Sequence, residues 1–171
     1  METRFQQLQR DNGMLPEPVL TALNIQMNHE LTNFYVYKNF SGIADFLGLT
    51  GTCKWFDIQA NEEKGHFDKF YKYISDKGYI PQLLPLPDQA TDVKTLQELF
   101  AETVQLEART TENLRKVAEI CKLENDDQTY NLSLEFLSEQ IEEEKIVNTI
   151  FKRIMMSIND PLRVDEELGK R

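Results

Sequence analysis

Four stretches of this chain place an inward residue every three or four positions over many turns, and each breaks its apolar repeat near the middle with a carboxylate or carboxamide. The first, from about Pro18, reads Leu20, Leu23, Met27, Glu30, Phe34, Tyr37, Ser41 and Ala44. The second, running to about Lys77, reads Phe56, Ala60, Glu63, His66 or Phe67, Phe70 and Ile74. The third, about Thr95 to Lys122, reads Leu96, Phe100, Thr103, Glu107, Thr110, Leu114, Val117 and Cys121. The fourth, about Gln128 to Ser157, reads Ser133, Phe136, Gln140, Glu143, Val147, Ile150 and Ile154. Such spacing predicts four long amphipathic helices around one core. A further short helix is expected from about Leu162 to Leu168, after Asn159-Asp160-Pro161.

Punctuation between the helices limits how they connect. Gly48 and Gly51 part the first from the second, with Thr50 or Thr52 expected as a cap. An acidic turn, Glu124-Asn125-Asp126-Asp127, parts the third from the fourth. Between the second and third, Gly78, Pro81, Pro85 and Pro87 keep the chain extended to about Thr95. A helix of about 28 residues is about 42 Å long, and about 17 extended residues reach about 56 Å. That connection can therefore run the length of the bundle. The expected fold is all-α, an antiparallel four-helix bundle with one long crossover connection and a short C-terminal fifth helix. Residues 1–13 are expected as a polar N-terminal extension, and 14–171 as one domain.

Composition excludes several partners. A net charge of −10 argues against nucleic acid and anionic membrane, which would need a basic face, and favours cations. No run of 18 apolar residues occurs, and the first twenty residues carry no apolar core flanked by basic ones, so neither spanning nor export is expected. Two cysteines, Cys53 and Cys121, are too few for a disulfide scaffold, which makes a reducing cytoplasm the expected location.

The mid-helix carboxylates carry the chemistry. An unpaired buried carboxylate costs several kcal/mol, and no lysine or arginine stands on the four stripes. Antiparallel packing brings Glu30, Glu63, Glu107 and Gln140 to one height, where bound cations are the simplest neutralisation. In Glu62-Glu63-Lys64-Gly65-His66, Glu63 and His66 lie one turn apart on one face and can grip a single ion. Glu30, Glu63 and His66 are the expected ligands of a first ion. Glu63, Glu107 and Glu143, with Gln140 nearby, would hold a second. Carboxylates with one imidazole suit iron, manganese or zinc. Tyr37, two turns from Glu30, is a candidate to hydrogen-bond a ligand or supply an electron. His29 points off the stripe and is expected at the surface or an interface, and Trp55 either flanks its stripe or faces a neighbouring subunit.

These residues, Glu30 and Tyr37, Glu63 and His66, Glu107, and the run Ser138-Glu139-Gln140-Ile141-Glu142-Glu143-Glu144-Lys145, resemble a non-haem bacterial ferritin from about residue 14 onward. The resemblance implies a ferroxidase that oxidises iron(II) with dioxygen or peroxide at the paired site and stores ferric mineral inside a cage of twenty-four copies. It also implies a third iron position, with Glu62, Glu139, Glu142 and Glu143 as ligands, and places Glu124, Asp126 and Asp127 where related cages form threefold pores. Lys64 stands where bacterioferritin-like relatives carry a haem-binding methionine, so no haem is expected. Those relatives also repeat Glu-x-x-His on the fourth helix, where this chain has Gln140-x-x-Glu143. The rival readings are another di-iron carboxylate peroxidase or oxygenase, a DNA-binding miniature ferritin, and a non-catalytic bundle subunit. Two isolated cysteines cannot build the rubredoxin module of a rubrerythrin.

Overall fold

Helix α1 (Glu17–Phe46), α2 (Thr50–Asp76), α3 (Leu96–Leu123), α4 (Asp127–Met156) and the short α5 (Pro161–Leu168) make up the fold, seen in a computed structural model that describes residues 15–89, 91–157 and 160–170. No strand occurs among the described residues. The extension expected over residues 1–13 lies outside them. No helix among the described residues is long and apolar enough to cross a membrane.

Three helices stop in the same way. Gly48 and Gly78 have φ of 75° and 85°, and Asn125 has φ of 57°. In each case the next amide turns back onto the last turn: Leu49 N–H to Ala44 O at 2.9 Å, Tyr79 to Ile74 at 3.2 Å, and Asp126 to Cys121 at 2.9 Å. Glycine reaches that left-handed conformation freely, and asparagine is the side chain that tolerates it best. Asp126 also starts α4, its carboxylate accepting from the Thr129 amide at 3.1 Å and the Thr129 hydroxyl at 2.7 Å. Of the three acidic residues placed near a pore by resemblance, Asp126 is thus committed to a cap, while Glu124 and Asp127 stay exposed.

Cross-contacts fix the topology. His29 meets Thr110 and Tyr37 meets Glu107, so α1 and α3 run antiparallel. Tyr73 meets Thr129, Lys69 meets Glu135 and His66 meets Glu139, so α2 and α4 do too. The turn at Leu47–Leu49 makes α1 and α2 a hairpin, and that at Glu124–Asp126 does the same for α3 and α4. The connection from 77 to 95 is the long crossover. It lies along α1, where asparagine amides replace the partners that an extended chain would find in a sheet. Gln82 and Leu84 donate to Asn24 and Asn28 at 2.7 and 2.8 Å. Asn28 returns a bond to Gln82 O at 2.7 Å, and Asn39 donates to Gln89 O at 2.8 Å.

Neither Thr50 nor Thr52 caps α2, contrary to expectation; Leu49 precedes the helix and offers no side-chain acceptor. The acceptor comes from α5. Buried Asp165 takes the Thr52 amide at 2.7 Å and the Gly51 amide at 3.2 Å, a carboxylate at the positive end of a helix. This approach requires glycine, because a Cβ on Gly51 would lie 1.9 Å from the Asp165 carbonyl oxygen.

The core is two apolar clusters with a polar layer between. Tyr37, Phe40, Trp55, Phe56, Phe100, Leu106, Val147 and Ile150 belong to one. Val19, Leu23, Met27, Phe70, Ile74, Leu114 and Phe136 belong to the other. Trp55 is fully buried against Tyr37, Phe56 and Phe100, which settles its two expected placements in favour of the core. On every long helix the mid-helix polar residues fall between the two clusters, so the break in each stripe becomes one layer at mid-height.

Candidate metal centre

Glu30 is inaccessible to solvent, and Glu63, Glu107, Gln140, Asn33 and Gln26 are buried with it. No lysine or arginine is buried among the described residues. One oxygen from Glu30, one from Glu63 and one ring nitrogen from His66 lie within 4.8 Å of one another, the spacing of a metal-ligand set. His66 Nδ1 stands 3.4 Å from Glu63 Oε2, and its ring is packed edge-on against Phe136 at 5.4 Å. Glu63 Oε2 is buried and accepts no hydrogen bond. A buried carboxylate oxygen without a hydrogen bond is what a cation would satisfy.

Across the layer, Glu107 is held by the Tyr37 hydroxyl and the Gln140 amide, and Gln140 Nε2 also reaches the Glu107 carbonyl at 3.3 Å. Glu143 is half-buried, and its charge is felt by both Glu63 and Tyr37. The trio of Glu30, Glu63 and His66 is the one group of that compactness among the described residues. Glu107 and Glu143 border it without closing a second such trio. The residues expected for a third position are not drawn together to that degree either. Glu62, Glu139 and Glu142 are exposed. Glu62 accepts from Gln59, Glu139 faces His66 at 3.6 Å and Lys69 at 3.9 Å, and Glu142 faces Lys145 at 3.3 Å.

The layer holds carboxyls that resist ionising. Burial, and then the charge of Glu63, raises Glu30 well above the carboxylate range. Burial first and Glu107 second push Glu63 up to about 8. Burial raises Glu107 as well, against the lowering effect of its bonds from Tyr37 and Gln140. The Tyr37 hydroxyl is raised well above its ordinary value by burial and then by Glu107. At an effective dielectric of about 20, two like charges closer than 4.8 Å repel by roughly 3 kcal/mol or more. A divalent cation reverses that sign and displaces the protons.

His29, expected at the surface or an interface, packs within one copy of the chain. It is half-buried between α1 and α3, 3.0 Å from Thr110 Oγ1, and burial followed by the charge of Arg109 lowers it to about 4. The buried face of α1 is wide enough to include positions about 100° off the stripe's centre. Two residues absent from the sequence expectations complete the layer. Gln26 donates to Glu30 Oε1 at 2.6 Å, and Asn33 Nδ2 reaches Glu30 Oε2 at 3.4 Å and Thr110 Oγ1 at 3.1 Å. Their signal was spacing, at −4 and +3 from Glu30 on the same face. Lys64 is at the surface, paired with Asp68 at 2.6 Å.

Fold and site together define a four-helix bundle with a buried carboxylate and imidazole cluster at mid-height. The family profile of the ferritin-like domain matches residues 20–156. The chain is 31% identical over 161 residues to a protein named bacterial non-heme ferritin from Staphylococcus haemolyticus, covering 92% of this chain and 97% of that protein. It is similar to the same degree to the Staphylococcus aureus protein of that name. An open-pore ferritin from the archaeon Archaeoglobus fulgidus shares the fold with a TM-score of 0.89 at 27% identity, covering 92% of this chain and 98% of that one. A humanized archaeal ferritin gives the same TM-score and identity. This chain belongs to the ferritin family.

Proposed function

We propose that this protein is an iron-storage ferritin with ferroxidase activity, oxidising iron(II) at the mid-bundle cluster. The observation that carries the reading is the buried Glu63 carboxylate, grouped within ligand reach of Glu30 and His66 and carrying one oxygen without a hydrogen bond, 3.4 Å from His66 Nδ1. Family membership and the ferritin names of its relatives support storage as the purpose.

In this reading Glu30, Glu63 and His66 take the first iron(II), and Glu63, Glu107 and Glu143 take the second, with Gln140 orienting Glu107. Two iron(II) ions each lose one electron. Dioxygen takes both electrons and two protons and leaves as hydrogen peroxide; with peroxide as oxidant, the same electrons and protons give two waters. Protons displaced from Glu30 and Glu63 as iron binds are available for that step, and the Tyr37 hydroxyl sits on Glu107 as a further donor. Glu62, Glu139, Glu142 and Glu143 would hold a third iron beside the paired site. No haem takes part.

Copies of the chain assemble into a hollow cage of twenty-four. Apolar side chains left on the surface of one copy, among them Phe46 at 89% exposure with Ile80, Leu83 and Leu84 on the crossover, support association. A cytoplasmic location, with no nucleic-acid or membrane partner, completes the reading. An oxygenase would need an apolar substrate pocket at the metals. The groove of about 460 Å³ between α1 and α3 has none of the candidate ligands among its lining residues.

Anaerobic iron(II) titration of the metal-free assembly, followed by exposure to air while ferric oxo absorbance is recorded, tests the proposal. Two or three tight irons per subunit and rapid oxidation are expected, with both lost in Glu63→Ala. A wild type that binds no tight iron and oxidises it no faster than buffer would refute it.

A further inference from the structure

Glu30 is gripped from both sides along its own helix. Gln26, one turn before it, donates to Oε1 at 2.6 Å, and Asn33, one turn after it, reaches Oε2 at 3.4 Å. Both amides have no solvent exposure. A carboxylate that binds a metal ion is ionised and only accepts, and both amides already present their NH₂ to Glu30 and turn their oxygens away. The structure records the cost. Gln26 Oε1 and Asn33 Oδ1 are both buried without a hydrogen-bond partner.

A buried amide that serves the stability of a core pairs both of its ends. Gln26 does not. It stands in the wall of the groove between α1 and α3, among Ala22, Ile25, Val117 and Ile120, where leucine or methionine would bury hydrocarbon and leave no orphaned oxygen. What the amide supplies that hydrocarbon cannot is direction for Glu30. Without it, Glu30 keeps only the longer 3.4 Å bond from Asn33 to hold it toward Glu63 and His66. Asn33 is tied to α3 through Thr110 at 3.1 Å and so fixes the other oxygen against a second helix.

We propose that Gln26 is a positioning residue for the first metal position, holding Glu30 in the orientation that faces Glu63 and His66, with Asn33 as its counterpart. The inference rests on the ferroxidase reading above and adds to it an amide that touches no metal itself. Outer partners of this kind commonly set metal affinity within about ten- to hundredfold. The effect is confined to one position, because Glu107 is held by a separate pair, Tyr37 and Gln140.

The test is anaerobic cobalt(II) titration of the full, assembled, metal-free chain, reading the visible absorption that reports coordination geometry. Wild type is compared with Gln26→Leu and with Gln26→Met, which keeps an unbranched chain of similar length should leucine disturb the fold. The expected result is a ten- to hundredfold loss of affinity at one position with an altered cobalt spectrum there. The other position and the unfolding midpoint of the metal-free protein stay unchanged. Variants that bind both cobalt ions with the wild-type affinity and spectrum overturn the role of Gln26 alone. Loss of both positions together with a weakened fold also overturns it, by making Gln26 a general core residue. A wild type that takes up no cobalt overturns the ferroxidase reading and this inference with it.

Discussion

Replacing Glu63 by glutamine should make the metal-free protein more stable while abolishing its metal chemistry. Glu63 is almost inaccessible, faces the charge of Glu107, and has an oxygen without a hydrogen bond. Its carboxyl is raised from 4.5 to about 8. A group raised in this way stabilises the fold fully below its unfolded value, and that stability is lost as pH climbs through the folded one. Between 4.5 and neutrality lie about 2.5 pH units at about 1.36 kcal/mol each, so by about pH 7 ionisation of Glu63 in the unfolded chain, while the folded carboxyl stays protonated, removes roughly 3 kcal/mol of stability per subunit. Glutamine keeps the shape, carries no charge and escapes that loss. Chelator-treated wild type and Glu63→Gln would be unfolded in guanidinium between about pH 5 and about pH 8, at one protein concentration. The wild-type midpoint should fall with pH relative to the variant, and the variant should be the more stable by up to roughly 3 kcal/mol near neutrality. Saturating zinc(II) should reverse the order, since the wild type gains binding energy that the variant cannot. Parallel pH curves, or a variant less stable at neutral pH, would refute the claim that burying the Glu63 carboxyl costs the metal-free fold stability.

Gly51→Ala puts a methyl where the Asp165 carbonyl stands; overpacking against backbone costs about 1–3 kcal/mol, read as a lower melting temperature with α5 opened to proteolysis. Asn28→Ala removes the amide that bonds the crossover at Gln82 and Leu84 and should cost about 1–3 kcal/mol for the backbone groups left unmatched, with faster hydrogen exchange at Leu84. Lys69→Met takes away the cation standing between Glu135 and Glu139. Exposed pairs are worth up to about 1 kcal/mol, so a third iron should bind up to about fivefold more tightly, measured by the titration that counts irons per subunit.

The chain itself specified the helices and their inward faces. Period and punctuation are local properties, and the stripe from Leu20 to Ala44 could be read without knowing what it packed against. The candidate ligands were legible for the same reason, because Glu30, Glu63, Glu107 and Gln140 each break a repeat at a position that one helix defines. Packing decided everything that depended on a partner helix. His29 became half-buried because α3 covers more of α1 than the stripe alone. The cap of α2 came from Asp165, 113 residues along the chain from Thr52, and no threonine nearby could announce it. Asn24, Asn28 and Asn39 read as ordinary polar residues until the crossover was laid beside them. Gln26 and Asn33 carried a spacing signal, but only three-dimensional packing left their oxygens without partners and made the two amides a clamp on Glu30. Sequence fixes which face of a helix is inward, since that follows from 3.6 residues per turn. Tertiary structure alone decides which donors meet which acceptors there, since those distances arise only when helices far apart in the chain close on one another.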